Sequence, residues 1–122
     1  FPDMLPMVKQ VQIATDHAKG AVARLAGAEV PRYEDTEQGF DELRARLAKT
    51  IAFVESFAAA QVDGSEQRPI ALRVGGRDWS FTGRDYLLDF ALPNFYFHLV
   101  TAYNILRHNG VEIGKGDYLG NP

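Results

Sequence analysis

The chain has 122 residues and a net charge of −3 at pH 7, with 46% hydrophobic residues, 24% charged residues and no cysteine. This composition is ordinary for one globular domain, so we treat residues 1–122 as a single domain. Without cysteine the chain cannot form a disulfide, use a thiolate nucleophile or bind a metal through sulfur. The dispersed Lys and Arg argue against nucleic-acid binding, and no apolar run reaches the ~20 residues that cross a membrane. We therefore expect a cytoplasmic protein that binds neither nucleic acid nor a membrane.

A first amphipathic helix is predicted from about Met4 to Ala26, where apolar and small residues recur with the spacing of one helical face. Asp3 is placed to cap its first turn, and Gly27 follows as a stop signal. His17 lies on a second, mixed face. Because the chain starts at Phe1 without an initiator Met or a signal-type apolar run, we expect residues upstream of it to be missing.

A second helix is predicted after a loop over residues 27–36, in which Asp35 is placed to cap the helix. Its apolar stripe consists of Phe40, Leu43, Leu47, Ile51, Val54 and Phe57. On the charged side, Glu42 and Arg46 have the i,i+4 spacing of an ion pair. We interpret this charged side as a solvated face without a function.

Residues 69–82, approximately, are predicted to form a β-hairpin, because apolar residues alternate on either side of Gly75-Gly76. Glycine accepts the positive φ of a two-residue hairpin turn, and the register that follows places Leu72 opposite Trp79. An isolated hairpin is marginally stable in water, so its apolar face is expected to lie on the helices. Trp79 is interpreted as a packing or lid residue rather than a ligand contact.

The last helical pattern begins after Thr82, which has the spacing of a capping box with Asp85, and it meets Pro93. Proline removes a backbone donor and clashes with the preceding turn, so a kink or break is expected there. The helix is predicted to resume over 94–108 and to be apolar nearly all round. It therefore needs partners on several sides, either an upstream helix or another subunit. The tail, residues 111–122, is expected to be pinned against the bundle.

Asn94 and His98 are the candidate site residues on this last helix, because the i,i+4 spacing places them on one face. His17 reaches the same place if the first helix packs alongside. Such nitrogen and oxygen donors suit zinc, nickel or iron with open positions for water. The alternative is a hydrogen-bonded polar cluster that holds no metal. His108 is excluded, because ten residues of helix separate it from His98 by ~15 Å.

The runs ALPNFYFHLVTAYNILRHNGVEIGKGDYLG, VQIATDHAKGAVARLAG and VPRYEDT resemble an uncharacterised bacterial family of unknown function within the DinB-like four-helix-bundle superfamily. The resemblance implies an all-α helical bundle in which three helices lie in this chain, with the small hairpin inserted. It also implies an additional N-terminal helix, which would supply the partner that the last helix needs. We expect the protein to be a homodimer.

The wider superfamily binds a divalent metal through one His on the second helix and a pair of His residues, separated by three residues, on the last. By position, His17 resembles the first ligand, Asn94 stands in the place of the second and His98 in that of the third. Some superfamily members are metal-dependent thiol transferases, in which the metal generates a thiolate nucleophile.

Two hypotheses follow for these three residues. One is a polar small-molecule or structural site without demonstrated catalysis. The other is a divalent-metal-dependent thiol transferase or hydrolase, so the sequence leaves open whether the protein is an enzyme.

Overall fold

The structure is a computed structural model that describes residues 1–120. Its elements are α1 (Met7–Ala26), α2 (Phe40–Glu55), α3 (Ala59–Val62), β1 (Pro69–Val74), β2 (Arg77–Thr82), α4 (Gly83–Asp85), a π-helical segment (Tyr86–Ala91), α5 (Leu92–His108) and α6 (Lys115–Leu119). The central helix is α1, because α2 and α5 both pack along it and make little contact with each other. Within residues 1–120, no helix is both long and apolar enough to cross a membrane.

The start of α1 differs from the prediction. The helix begins at Met7 instead of Met4, and Asp3 does not cap it, because Pro6 is extended with ψ of 164° and occupies the N-cap. The residue before a proline is also disfavoured in the helical conformation, which keeps the preceding segment out of the helix. The predicted end is confirmed, since Gly27 adopts a left-handed conformation with φ of 68°.

The start of α2 was also wrongly predicted. The helix begins at Phe40, after a residue with no capping side chain. Asp35 lies in the preceding loop, where its carboxylate binds Arg46 instead of capping a helix. The predicted pair of Glu42 with Arg46 is absent among the described residues, because the Glu42 carboxylate accepts a hydrogen bond from the Gln38 backbone N–H.

The interpretation of the charged side of α2 as a solvated face is wrong for Arg46, because the Arg46 side chain is only 2% exposed. Its Nε donates to Thr15 Oγ1 at 2.7 Å. Its terminal nitrogens bind the carboxylates of Asp16 at 3.0 Å, Asp35 at 3.2 Å and Glu37 at 3.1 Å. A guanidinium group has five donors, and this arrangement uses them to join α1, α2 and the loop between them.

Tyr33 anchors the same loop. The cationic groups of Lys19, Arg46 and Lys49 lie 4.5, 5.4 and 4.2 Å from the centre of its ring. Attraction between these cations and the ring face helps to hold a loop that has no regular secondary structure.

The hairpin prediction is confirmed in both position and register. Leu72 pairs with Trp79, and the two turn residues have positive φ, 58° at Gly75 and 78° at Gly76. The apolar face of the hairpin lies on the helices, as expected, where Ile70 is buried in a cluster with Leu25, Tyr86 and Ala91.

Of the kink or break predicted at Pro93, the break is absent, because the helix continues from α4 through the π-helical segment into α5. In the π-helical segment the Leu92 N–H donates to the Leu87 carbonyl, five residues back. The wider turn accommodates the missing donor and the ring of Pro93 without interrupting the helix. One hydrogen bond of the predicted capping box is present, since Thr82 Oγ1 accepts from the Asp85 N–H.

The apolar stripe of α2 is covered only in part. Leu43 is buried, whereas Phe40, Leu47 and Ile51 are 62, 42 and 56% exposed. An open apolar groove of about 740 Å³ lies between α1, α2 and α5 and includes Leu47 and Ile51 in its wall. The three helices therefore present apolar surface that they do not cover themselves.

The tail is pinned through Tyr118, whose ring contacts that of Tyr103 on α5 with 5.7 Å between ring centres. Asn121 and Pro122, which were included in that expectation, lie outside the described residues.

We predict that Arg46→Met lowers the free energy of unfolding by about 2 kcal/mol, because it leaves carboxylates and a buried hydroxyl without their partner. The loss stays below the ~3–5 kcal/mol of a fully buried pair, because the Asp16 and Asp35 carboxylates can rehydrate. The control is Arg44→Met, whose side chain is 80% exposed beside Asp41. It should cost less than about 0.5 kcal/mol. Urea denaturation measures both, and equal losses would contradict the role given to Arg46.

Candidate functional site

His17 on α1 and His98 on α5 face each other across the interface of the two helices. Their ring centres are 6.1 Å apart and their ring planes differ by 12°. Two imidazoles on one ion with bonds of ~2.1 Å have ring centres roughly 5–6.5 Å apart. The structure thus brings the predicted histidines together at a distance at which one small ligand can contact both.

Gln10 is a site residue that the sequence interpretation missed. It is 3% exposed, its Nε2 donates to the Leu5 carbonyl at 3.1 Å, and its Oε1 lies 2.7 Å from His98 Nδ1. Because a carbonyl oxygen can only accept, His98 Nδ1 carries the proton and Nε2 has the lone pair. The available signal was spacing, since Gln10 lies two helical turns before His17 on the same face of α1.

Asn94 lies one turn before His98 on α5, as predicted, but its side chain is turned toward the π-helical segment. Its Nδ2 donates to the Phe90 carbonyl at 2.7 Å. The amide nitrogen is therefore used within the helix, and Oδ1 is the atom of Asn94 that remains for a ligand.

Both histidines are neutral at pH 7. Burial lowers the pKa of His17 to about 4, and the nearby His98 lowers it further while Asp16 opposes the shift. Burial also lowers the pKa of His98. A neutral imidazole keeps one nitrogen lone pair, so each ring can accept a hydrogen bond or bind a cation without first losing a proton.

Aromatic rings surround the two histidines. Phe90 lies 5.7 Å from His17 and Phe97 lies 5.2 Å from His98, measured between ring centres and with edge-to-face geometry. Trp79 of the hairpin lies 5.9 Å from Phe90 and is 41% exposed. Trp79 therefore packs on the residues that flank the site, in agreement with its interpretation as a packing residue.

The donor set does not fit a three-histidine metal centre. Among residues 1–120, no group of three or more His, Cys, Asp or Glu side chains is placed to hold a metal ion. The available donors are two neutral imidazoles and the Asn94 amide oxygen, without a carboxylate. A neutral amide is a weak ligand for zinc, nickel or iron, which favour nitrogen donors. The misfit arises because Asn94 supplies an amide where the resemblance drawn from the sequence implies a histidine.

The fold and the site define a helical-bundle protein with an inserted β-hairpin and a histidine pair on its central helix interface. Residues 1–119 match the family described as "Domain of unknown function (DUF1993)", and the chain belongs to this family.

The chain is also similar to a DinB family member protein from Shewanella denitrificans of known crystal structure. The two are 41% identical with a TM-score of 0.86, and the match covers 98% of this chain and 67% of that one. No curated protein matches the chain. The resemblance inferred from the sequence, to an uncharacterised family of DinB-like type, is confirmed.

We predict that stability falls as the pH is lowered from about 6.5 to 4. In this window the unfolded chain protonates His17, whose ordinary pKa is 6.5, while the folded protein does not until about pH 4. The unfolded state then binds more protons, so the free energy of unfolding decreases with decreasing pH, by at most ~1.4 kcal/mol per pH unit.

Urea denaturation at a series of pH values measures this slope. His17→Gln should reduce it, whereas His108→Gln, which changes an exposed histidine at the end of α5, should leave it unchanged. Equal slopes in the wild type and in His17→Gln would show that His17 is not held neutral by the fold.

Proposed function

We propose that this protein binds a small polar molecule at His17, Asn94 and His98, with the two imidazoles acting as neutral hydrogen-bond acceptors. The observation that supports the proposal is that the His17 ring and His98 Nε2 are left without hydrogen-bond partners in the described part of the chain. Within residues 1–120, no side chain bonds to the His17 ring or to His98 Nε2, and neither is among the polar atoms buried without a partner. These atoms are therefore not fully buried, and a ligand can reach them from solvent.

The purely structural alternative assigns the same residues only to holding α1 against α5. The contact between Gln10 and His98 does join the two helices. It uses Nδ1 of His98 alone, however, and leaves the opposite side of that ring and all of His17 without a structural hydrogen bond. A structural role accounts for Gln10 better than for His17.

The second candidate is a divalent-metal-dependent thiol transferase or hydrolase of the DinB-like type. It is favoured by the 6.1 Å separation of two imidazole rings that are neutral at pH 7. It is opposed by Asn94, which supplies only an amide oxygen where a third imidazole would complete the set. We therefore place it second.

Native mass spectrometry of protein purified without a His tag separates the two candidates. After incubation with a low-molecular-weight cell extract, we expect a small-molecule adduct in the wild type and at least a tenfold weaker one in His98→Leu. His108→Gln is the matched control and should keep the adduct. Thermal melting confirms that each variant is folded. An adduct of equal strength in His98→Leu would refute binding at this site.

The same samples test whether the protein binds a metal ion. We expect less than about a tenth of an equivalent of bound metal in the wild type, because the donor set lacks a third strong ligand. Asn94→His should gain zinc affinity at least tenfold over the control Asn104→His, which places the new ring on an exposed position of α5. Nearly one equivalent of metal in the wild type, lost in His98→Leu, would establish the second candidate instead.

We also propose that a further helix, preceding Phe1 in the intact protein, fills the groove between α1, α2 and α5 and completes a four-helix bundle. The groove is apolar and about 740 Å³ in volume. About a third of the DinB family member has no counterpart here, since the match covers 67% of it.

The homodimer stays a prediction, and the exposed rings of Tyr96 and Phe97 on α5 are a surface that would suit it.

Substitutions at two leucines of similar exposure test whether a helix fills the groove in the intact protein. Leu47 is 42% exposed and lines the groove, whereas Leu88 is 49% exposed and lies outside it. Leu47→Asp should cost about 2–4 kcal/mol more than Leu88→Asp, because a covering helix would bury the new carboxylate. Urea denaturation measures both. Equal costs would show that the groove stays open.

A further inference from the structure

The exposed side of α5 carries an apolar patch. Leu92, Tyr96 and Val100 are spaced by four residues and form one ridge along the helix, and Phe97 lies on the next ridge. Their exposed fractions are 37% at Leu92, 50% at Tyr96, 38% at Val100 and 65% at Phe97. We call these four residues the α5 patch. None of them lines the groove between α1, α2 and α5, so the helix proposed to fill that groove does not account for them.

Opposite charges flank the α5 patch. Asp85 and Asp89 precede it and Arg107 follows it, and all three residues are exposed. Asp85, Asp89 and Phe97 are separated by four and eight residues, close to one and two helical turns, so the two carboxylates continue the Phe97 ridge. Within residues 1–120, none of these three charges forms an ion pair, and Arg107 donates to the Ile113 carbonyl. The acidic end and the basic end of this surface are therefore both open to a partner.

The two ends are equally far from the middle of the α5 patch. The middle lies between Tyr96 and Phe97, and Asp85 and Arg107 are each about 11 residues from it, which is roughly 16 Å of helix. If two copies of α5 pack antiparallel about a twofold axis at this point, Asp85 of each copy meets Arg107 of the other. Parallel packing would instead bring Asp85 to Asp85 and Arg107 to Arg107, which is repulsive.

We propose that the α5 patch is a homodimer interface, in which two copies of α5 pack antiparallel and Asp85 of each copy pairs with Arg107 of the other. The proposal rests on the homodimer predicted above, gives it a defined surface, and is independent of the ligand proposed for the histidine pair. Aromatic side chains are enriched at the centres of protein interfaces, where Tyr96 and Phe97 lie here. Each helix carries both halves of the charge pattern, so the best complement is a second copy of this chain.

Sedimentation equilibrium of the intact protein tests the interface, and we expect a dimer at about 10 µM protein. Val100→Glu should raise the Kd of dimerisation at least tenfold, because it places two carboxylates in an apolar contact. Val74→Glu is the matched control and should leave the Kd unchanged, since Val74 is 45% exposed on the hairpin, outside the α5 patch. A wild-type protein that is monomeric at about 100 µM would overturn the proposal, whether or not the variants fold.

A charge exchange tests the antiparallel arrangement. Asp85→Lys and Arg107→Glu should each raise the Kd at least tenfold, because each creates two like-charge contacts per dimer. The double variant restores opposite charges in both contacts, so its Kd should return to within about threefold of the wild-type value. Circular dichroism shows whether each variant is folded. A folded double variant that associates no better than the single variants would refute the antiparallel pairing.

The outcomes also separate this proposal from those made above. A dimer that is weakened neither by Val100→Glu nor by the charge reversals would keep the homodimer and refute the α5 interface. A monomer would refute both. Neither result changes the test of ligand binding at His98, which is read from the adduct in the mass spectrum.

Discussion

The buried guanidinium group of Arg46 is the interaction on which the arrangement of the bundle depends. It bonds to a hydroxyl and a main-chain carbonyl of α1, to a carboxylate of α1 and to two carboxylates of the loop that leads into α2. Apolar contact between α1 and α2 is limited, because much of the α2 stripe faces the open groove. Directional charge-assisted bonds therefore set the register of α2 on α1, which a small apolar contact alone would specify weakly.

The candidate site depends on how closely α5 approaches the other side of α1. Ala14 of α1 and Ala102 of α5 are both buried, and Ala102 packs in a cluster with Val11 of α1. Such small side chains allow two helix backbones to approach closely, and the longer side chains beside them then meet. His17 and His98 are brought into ring contact in this way, and Gln10 reaches His98 from the same face of α1. Burial keeps both imidazoles neutral, because a charged ring would lose its hydration there.

The π-helical segment gives Asn94 a role that differs from that of a metal ligand. Pro93 cannot donate a backbone hydrogen bond, and the helix widens just before it. The Asn94 side chain donates a hydrogen bond to the Phe90 carbonyl in this region. A histidine at position 94 would have to make this hydrogen bond with a ring of different shape. Asn94 therefore links the local helix geometry to the polarity of the site.

The sequence by itself determined the features that depend on near neighbours in the chain. The periodicity of the helices, the glycine turn and register of the hairpin, and the common face of Asn94 and His98 all follow from local geometry. The tertiary structure decided the features that depend on distant partners. Arg46 was misread as solvated because its carboxylates come from other elements, and Gln10 was missed because its partner His98 lies 88 residues away. A hydrogen bond of that span leaves no periodic trace in a sequence, so only the packing of α1 on α5 could reveal it.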